Sequence, residues 1–155
     1  MTTKTQLQNK IQELESELQE FKSQLSSYKE VTIETAVPGD TLEDGSIVLQ
    51  KENGIALIVA PESTEVECPW SKEFAEVFEK LKEQGFNPSQ WFVPTKEQLQ
   101  LAYNTIPNEF SSMRYWSSTE FGSSFAWYVF FTLGFTYYSD KSRTFCVRAF
   151  RCVTY

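Results

Sequence analysis

Few residues of this 155-residue chain have the types and spacing that catalysis or metal binding requires. The chain contains no His, which is the commonest general base and the commonest zinc ligand. Its three cysteines, Cys68, Cys146 and Cys152, include no CxxC pair, so they indicate neither a zinc site nor a disulfide framework, and we expect buried free thiols. No activated nucleophile or general acid stands out. We therefore predict that the chain is not an enzyme and holds no metal or cofactor.

Aromatic side chains are the residues best suited to recognition. Of the 24 Phe, Tyr and Trp residues, 15 lie within residues 110–155. Tyr offers a broad contact area and a hydroxyl group at a small entropic cost, as in antibody paratopes. An aromatic residue is more often core than site. One domain does not easily bury so many from one segment, however, and a group that is exposed together marks an interaction surface.

The charge distribution disfavours two classes of partner. The net charge is −7, and residues 31–109 carry 14 acidic against 5 basic side chains. An acidic chain without a basic stripe binds nucleic acid and anionic membranes poorly. The longest uncharged stretch, residues 121–139, holds too many Gly, Ser and Thr to cross a bilayer, so we predict no membrane insertion. We expect the five basic residues of segment 110–155 to pair with the acidic middle of the chain.

The apolar residues of the first thirty positions repeat with heptad spacing. They follow one another at alternating intervals of four and three residues: Leu7, Ile11, Leu14, Leu18, Phe21, Leu25 and Tyr28. This stripe occupies two positions in seven, which is narrower than the apolar face of a helix that packs on its own domain. We therefore predict that residues 1–30 form a coiled-coil oligomerisation helix.

The identity of these residues predicts the oligomeric state. Leu at two of the three a positions, with the bulky Phe21 and Tyr28 at d, departs from the pattern that selects dimers, so we expect a parallel homotrimer. Three heptads are marginal alone, and the helix should need support from the following domain or from a larger assembly. Residues 1–10 are polar and lack the apolar core of a signal peptide, so we expect synthesis in a cytoplasm without a signal peptide.

Residues 31–155 have the pattern of one α+β domain, which contains several short strands. Strands are predicted at residues 31–37, 46–49 and 54–60, and the Asn-Gly step between the last two is a strong hairpin signal. Further short strands with Gly and Ser turns are predicted from Tyr115 to the C-terminus.

Two helices are predicted between these groups of strands. The first begins at Ser71, a good N-cap residue, and stops at Gly85. The second begins at Thr95, which forms a capping box with Gln98, and ends near Asn104.

Five segments of this domain resemble one protein family in their order and spacing. They are residues 45–61 (GSIVLQKENGIALIVAP), 91–99 (WFVPTKEQL), 115–120 (YWSSTE), 126–127 (AW) and 147–151 (VRAFR). Together they resemble the C-terminal domain of collagen-like adhesins, the Lcl-type family. This family is a branch of the C-type-lectin fold, close to formylglycine-generating-enzyme-like domains and to the variable proteins of diversity-generating retroelements. The resemblance implies a C-type-lectin fold, with two helices plus small antiparallel sheets, after the N-terminal coil. Such domains lie at the tips of bacterial surface proteins and phage tail fibres, where they bind host or partner surfaces.

The chain departs from the related patterns at three points. The family has an acidic residue where this chain has Gln98, which either forms a charge-assisted hydrogen bond with an arginine of the terminal motif or caps its own helix. The calcium-ligand motifs of sugar-binding C-type lectins do not occur, so we expect no calcium. Cys146 and Cys152 lie in the region of the cysteine pair of formylglycine-generating enzymes, but their spacing suits two inward-facing strand positions better.

A strand at residues 125–132 would place alternate side chains on opposite faces. The resemblance marks Trp127 and Phe131 as core positions on one face, which leaves Tyr128 and Phe130 to face outward on the other; Trp116 is also expected in the core. With residues of the adjoining turns, the outward side chains form the predicted contact set: Phe121, Ser123, Phe125, Tyr128, Phe130, Phe135, Tyr137 and Tyr138.

We therefore expect a non-enzymatic binding module that recognises a host surface protein or glycan through this aromatic face. Its N-terminal end would contact other virion proteins, because the missing signal-peptide pattern favours a phage tail fibre or tail-tip protein of the virion. Three weak sites on one trimer would bind a repetitive surface far better than one. The alternatives are a structural or decorating virion protein, whose aromatic face is buried against a neighbouring subunit, and an enzyme on the same fold.

Overall fold

The N-terminal part of the chain is a single helix. The computed structural model describes residues 3–27 and 31–155, and the chain divides into two compact units, Met1–Glu30 and Val31–Tyr155. In the first unit, helix α1 spans Lys4–Ser27. Thr3 and Gln6 form a capping box at its start, with each side chain accepting a hydrogen bond from the other residue's backbone N–H. Within the described residues, no helix combines the length and the hydropathy that crossing a bilayer requires.

The predicted heptad stripe runs along α1 and is open in the single chain. Its side chains are 51–72 % exposed: Leu7, Ile11, Leu14, Leu18, Phe21 and Leu25. The seventh predicted seam residue, Tyr28, lies outside the described residues. These apolar side chains are the largest exposed apolar feature of the N-terminal unit.

A three-stranded antiparallel sheet contains the two strands predicted on either side of the Asn-Gly step. Strands β1 (Ile47–Glu52), β2 (Ile55–Val59) and β8 (Phe150–Thr154) lie in the order β1-β2-β8. Asn53 and Gly54 both have positive φ, 53° and 77°, as a two-residue hairpin turn requires. The predicted hairpin is confirmed.

A five-stranded sheet contains most of the aromatic residues. Its strands are β3 (Val66–Pro69), β4 (Arg114–Phe121), β5 (Phe125–Phe130), β6 (Phe135–Asp140) and β7 (Thr144–Val147). They lie in the order β3-β7-β4-β5-β6, with β4 and β7 parallel and the other pairs antiparallel. Strand β5 ends two residues before the predicted Thr132, because the chain turns after Phe130, whose carbonyl accepts a hydrogen bond from Gly134 N at 2.7 Å.

Helices α2 (Ala75–Glu83) and α3 (Lys96–Thr105) complete the predicted α+β class. Helix α2 begins three residues later than predicted, with Phe74 instead of Ser71 at the N-cap: Ser71 Oγ accepts a hydrogen bond from Phe74 N, but the backbone of Phe74 is left-handed, with φ of 46°. Helix α3 begins as predicted, with both hydrogen bonds of the Thr95–Gln98 capping box present. Gln98 therefore caps its own helix, the second of the two roles considered for it. Short 3-10 turns lie at Glu62–Thr64, Pro88–Gln90 and Pro107–Glu109.

The strand predicted at residues 31–37 is wrong. The backbone N–H groups of Thr35 and Ala36 both donate to Thr32 O, at 3.2 and 2.8 Å, and the segment turns. The Thr35 hydroxyl contacts the Thr32 hydroxyl and accepts from Thr32 N, each at 3.3 Å. Local hydrogen bonds of this kind compete with strand formation, and the alternating pattern alone did not reveal them.

The five-stranded sheet is buried on both faces at its middle. Trp116 and Tyr128 belong to a core cluster that includes α2, while Tyr115 and Val129, their neighbours along the strands, belong to a second cluster that includes α3. Trp116 and Phe131 are buried, as expected. The more exposed aromatic residues of this sheet are consequently found at the strand ends and on the edge strand β6.

Candidate functional site

The register of β4, β5 and β6 brings several aromatic side chains to one end of the sheet. Phe121 pairs with Phe125 across β4 and β5, and Trp127 pairs with Tyr138 across β5 and β6. Paired residues share a face of an antiparallel sheet, so these four side chains lie together. Tyr137 pairs with Tyr128 on the opposite face, but its ring stacks on the ring of Tyr138 at the edge of the sheet, and we call these five residues the aromatic cluster.

The rings of the aromatic cluster pack in a defined way. Phe121 stacks on Tyr138 with centroids 4.3 Å apart, and Tyr138 stacks on Tyr137 at 4.7 Å. Trp127 meets Phe121 and Tyr138 edge-on, at 5.4 and 5.6 Å. A hydrogen bond with the Tyr138 side chain raises the pKa of the Tyr137 hydroxyl. The result is a stack of three nearly parallel rings with the indole beside it.

Much of the aromatic cluster faces solvent. Tyr137 is 52 % exposed, Phe121 45 % and Phe125 40 %, whereas Trp127 and Tyr138 are half-buried. Large apolar side chains that are exposed together are uncommon on a protein surface without a contact to make. The aromatic cluster is therefore the strongest candidate for a recognition surface.

Lys96 connects the aromatic cluster to helix α3. Its ammonium group lies 4.1 Å from the centre of the Trp127 ring, a cation–π geometry, and 4.0 Å from the carboxylate of Glu97. Its backbone N–H donates to the Thr119 hydroxyl at 3.1 Å, which attaches the first turn of α3 to β4. Lys96 therefore lies at the edge of the aromatic cluster, and its ammonium group contacts the Trp127 ring and the Glu97 carboxylate.

Lys141 fixes the turn that connects β4 to β5. Its ammonium group donates to Glu120 and to Ser123 O, both at 3.0 Å, and lies 4.4 Å from the Trp70 ring centre. Ser123, a predicted contact residue, is exposed in this turn. A rigid turn keeps Phe121 and Phe125 in place, so little order has to be gained when a partner binds.

The structure separates the predicted contact set onto two faces of the sheet. Tyr128 is only 7 % exposed and packs against Trp116 and Phe145, so its predicted outward position is wrong. Trp127, predicted in the core, is half-buried within the aromatic cluster. Both assignments failed because the sheet is buried on both faces at its middle. The alternation of side chains along a strand tells which residues share a face but not which of them reach solvent.

Phe130 and Phe135 lie on the Tyr128 side of the sheet, opposite the face with Phe121, Phe125, Trp127 and Tyr138. Their rings are 5.4 Å apart, and the guanidinium of Arg114 lies 4.3 Å from the Phe130 ring centre. Arg114 and Phe130 line a cleft of about 310 Å³, together with Glu67, Ser112, Met113, Thr144, Phe145 and Cys146. These two predicted residues therefore belong to a separate surface.

A groove between α3 and β6 adjoins the aromatic cluster. It has a volume of about 400 Å³ and is lined by Lys96, Glu97, Gln100, Leu101, Asn104 and Thr136. We call it the α3–β6 groove. Sequence reasoning missed it, although Lys96, Gln100 and Asn104 repeat at four-residue intervals and so mark a polar face of one helix.

The chain matches no protein-family model and no curated protein sequence. The function is therefore inferred from the groups that its surfaces present, which are aromatic rings, hydroxyl and amide groups, and a few charged side chains. Within residues 3–27 and 31–155, no group of three or more His, Cys, Asp or Glu side chains is arranged to hold a metal ion.

A buried polar network lies away from these surfaces. Tyr115 Oη donates to Glu65 at 2.9 Å, and Glu65 lies 4.0 Å from the guanidinium of Arg148. Arg148 also donates to the carbonyls of Ala60, at 2.7 Å, and Glu109. The basic residues of segment 110–155 were expected to pair with the acidic middle of the chain: Arg148 does so through Glu65, whereas Lys141 pairs with Glu120 of its own segment.

The chemistry of this buried network favours a structural role. Burial raises the pKa of Glu65 above its ordinary value, and burial with the nearby Glu65 raises the pKa of the Cys146 thiol to about 12. A thiol of that kind stays protonated at neutral pH and is a poor nucleophile. Cys68 is also buried, but Cys152 is exposed, which corrects the expectation of three buried thiols and of an inward-facing Cys152. The network ties two 3-10 turns to β4 and the end of β7.

Proposed function

We propose that the chain is a non-enzymatic attachment module, a tail-fibre or tail-tip protein of a phage, that binds a host receptor or glycan through the aromatic cluster. The observation that carries the proposal is the stack of Phe121, Tyr138 and Tyr137, whose two outer rings are exposed. Leaving apolar ring area in water forgoes about 25 cal/mol per Å² of stabilisation. A partner that covers the rings recovers that free energy.

The second unit, in this proposal, is an Lcl-type domain of the C-type-lectin fold. Two features support that reading: two helices lie between the β1–β2 hairpin and the later strands, and the C-terminal strand β8 pairs with that hairpin. The fixed β4–β5 turn and the ordered rings give the domain a rigid contact surface, which suits a binding role.

The first unit is proposed to assemble three chains. The open stripe of α1 exposes more than half of each described seam residue, and most of the stability of a helix in a protein comes from packing its apolar face. Packing the stripes of three chains together buries them and gives each trimer three aromatic clusters. Binding several copies of a repeated receptor at once then raises the overall affinity by orders of magnitude, about 10²- to 10⁴-fold.

A second candidate function is that of a decorating virion protein, with the aromatic cluster against a neighbouring subunit. One observation favours it: β6, which carries Tyr137 and Tyr138, is an edge strand that pairs only with β5 among the described strands. Edge strands offer free backbone groups to another chain.

Whole-cell binding of the labelled protein, measured across a panel of bacterial strains, tests the attachment role. We expect the double variant Phe121→Ala, Phe125→Ala to lose binding by roughly 30-fold or more, because truncating an aromatic hot-spot residue costs at least about 2 kcal/mol. Phe135→Ala is the matched control, since Phe135 is 41 % exposed but lies on the opposite face of the sheet from Phe121 and Phe125. Binding that the double variant retains at wild-type strength would contradict the proposal.

A further inference from the structure

The α3–β6 groove and the aromatic cluster form one continuous surface. Thr136 lines the groove and Tyr138 belongs to the cluster, and the two residues are separated by one position on β6. Residues two apart on a strand share a face and lie about 7 Å apart. Lys96 lines the groove and also covers the Trp127 ring, so it joins the two parts on the other side.

The polar side chains of the groove are held in fixed positions. Gln100 Oε1 accepts from the Thr136 hydroxyl at 2.8 Å, and Gln100 Nε2 donates to Gly134 O at 3.1 Å and to Asn104 Oδ1 at 3.3 Å. The hydrogen bond from Gln100 to Asn104 Oδ1 orients the Asn104 side chain. A groove of about 400 Å³ with a few convergent polar groups is the size of a small-molecule site.

The groups along this surface differ in kind, and their combination identifies a ligand class. Leu101 supplies an apolar lining, Glu97 an acceptor and Asn104 both a donor and an acceptor, while the exposed rings of Phe121 and Phe125 supply apolar surface. A ligand that fits must carry many groups that both donate and accept, and must also have apolar faces. Saccharide rings have these properties, because their hydroxyl groups lie at the rim and their C–H groups form flat faces.

Charge decides between neutral and anionic saccharides. Lys96 and Glu97 lie 4.0 Å apart and neutralise each other, so the groove has no uncompensated cation. The chain carries a net charge of −7, which repels sulfated and phosphorylated polymers at a distance. The surface therefore suits an uncharged chain of sugars.

We infer that the α3–β6 groove and the aromatic cluster together bind a neutral oligosaccharide, with one sugar ring in the groove and a following ring against the exposed rings of Phe121 and Phe125. This inference rests on the proposed attachment function and names its ligand class. It assigns α3 a direct part in recognition, through Asn104 and Glu97.

The test begins with an array of neutral and acidic oligosaccharides and the full-length protein. We expect binding to neutral oligosaccharides of two or more rings, weaker binding to the corresponding monosaccharides, and none that depends on acidic groups. Affinity for the best array ligand should fall roughly tenfold for Asn104→Ala, which removes a hydrogen-bonding group from the groove. Asn108→Ala is the matched control, because Asn108 is exposed in a 3-10 turn and does not line the groove.

Periodate treatment of the cells distinguishes this inference from the proposed function, because periodate cleaves the vicinal diols of sugars. Cell binding that falls after periodate treatment and after Asn104→Ala supports the saccharide site. Cell binding that persists after periodate treatment, or that Asn104→Ala leaves unchanged, overturns the saccharide site while the attachment function stands. Array binding only to acidic glycans also overturns it. Failure of the protein to bind any cell or any glycan overturns both.

Discussion

The three cysteines differ in how their surroundings affect the thiol group. Cys68 and Cys146 are buried, and burial raises the pKa of Cys68 to about 11 and that of Cys146 to about 12, whereas Cys152 is exposed. A raised pKa leaves almost no thiolate at neutral pH, and the thiolate is the reactive form.

We therefore expect a thiol reagent at pH 8 to modify one cysteine of the native chain, Cys152, and all three after unfolding in denaturant. Colorimetric thiol titration with and without denaturant measures this. The variant Cys152→Ser should leave the native protein unreactive while its unfolded form still reacts. Rapid modification of native Cys146 would contradict the buried, structural role of the Glu65–Arg148 network and would favour an enzyme.

Individual residues also show where sequence reasoning about the site succeeds and fails. Phe121, Phe125 and Tyr138 were predicted as contact residues from their type and location, and the structure brings them together. Tyr128 was assigned wrongly and Trp127 was left out, since alternation along β5 does not reveal that both faces of the strand are covered at its middle. Lys96 and Asn104 were missed because their place beside β6 depends on a contact between distant segments.

At the scale of elements, the best predictions rest on short-range signals. The Asn53–Gly54 turn and the Thr95–Gln98 capping box are fixed by two to four neighbouring residues, and both are present as predicted. The segment at residues 31–37 has an alternating pattern but finds no partner strand, since its threonines bond to their own turn. The order of the five-stranded sheet, with β7 between β3 and β4, depends on long-range pairing that no local pattern encodes.

The turn between β5 and β6 packs tightly against α3. Gly134 has φ of +77°, and a Cβ atom added there would lie 2.2 Å from the ring of Tyr103 on α3. Gly122, in the turn between β4 and β5, has a similar φ of +80° but nothing within 4 Å of an added Cβ. Comparing substitutions at the two glycines therefore distinguishes the cost of backbone strain from the cost of steric overlap.

We expect Gly122→Ala to destabilise the domain by about 1 kcal/mol, the typical cost of the left-handed backbone for other residues. Gly134→Ala should cost roughly 1 to 3 kcal/mol more, because Tyr103 has to move. Urea unfolding of both variants measures the difference. Equal losses would mean that the turn does not press on α3, and would weaken the case for a groove held in a fixed shape.

At the scale of the whole molecule, the proposed trimer depends on the α1 stripe. Sedimentation equilibrium of the full-length chain should give a mass of about 54 kDa, three times the 18.0 kDa of one chain. Replacing two seam residues, Leu14→Glu with Leu18→Glu, should dissociate the trimer, because it places charges in the buried seam. Ser16→Glu is the control, since Ser16 lies outside the seam. A full-length chain that sediments as an 18.0 kDa monomer would refute the coiled coil.

The central claim, that the aromatic cluster meets a host surface, can be tested by photo-crosslinking. A photoreactive benzoylphenylalanine is placed at Phe125, in the cluster, or at Phe135, which is equally exposed but lies on the opposite face of the sheet. After illumination on susceptible cells, the claim predicts crosslinks from position 125 to a component of the cell envelope and few from position 135. Crosslinks from position 125 only to another subunit of the same particle, or equal crosslinking from both positions, would contradict it.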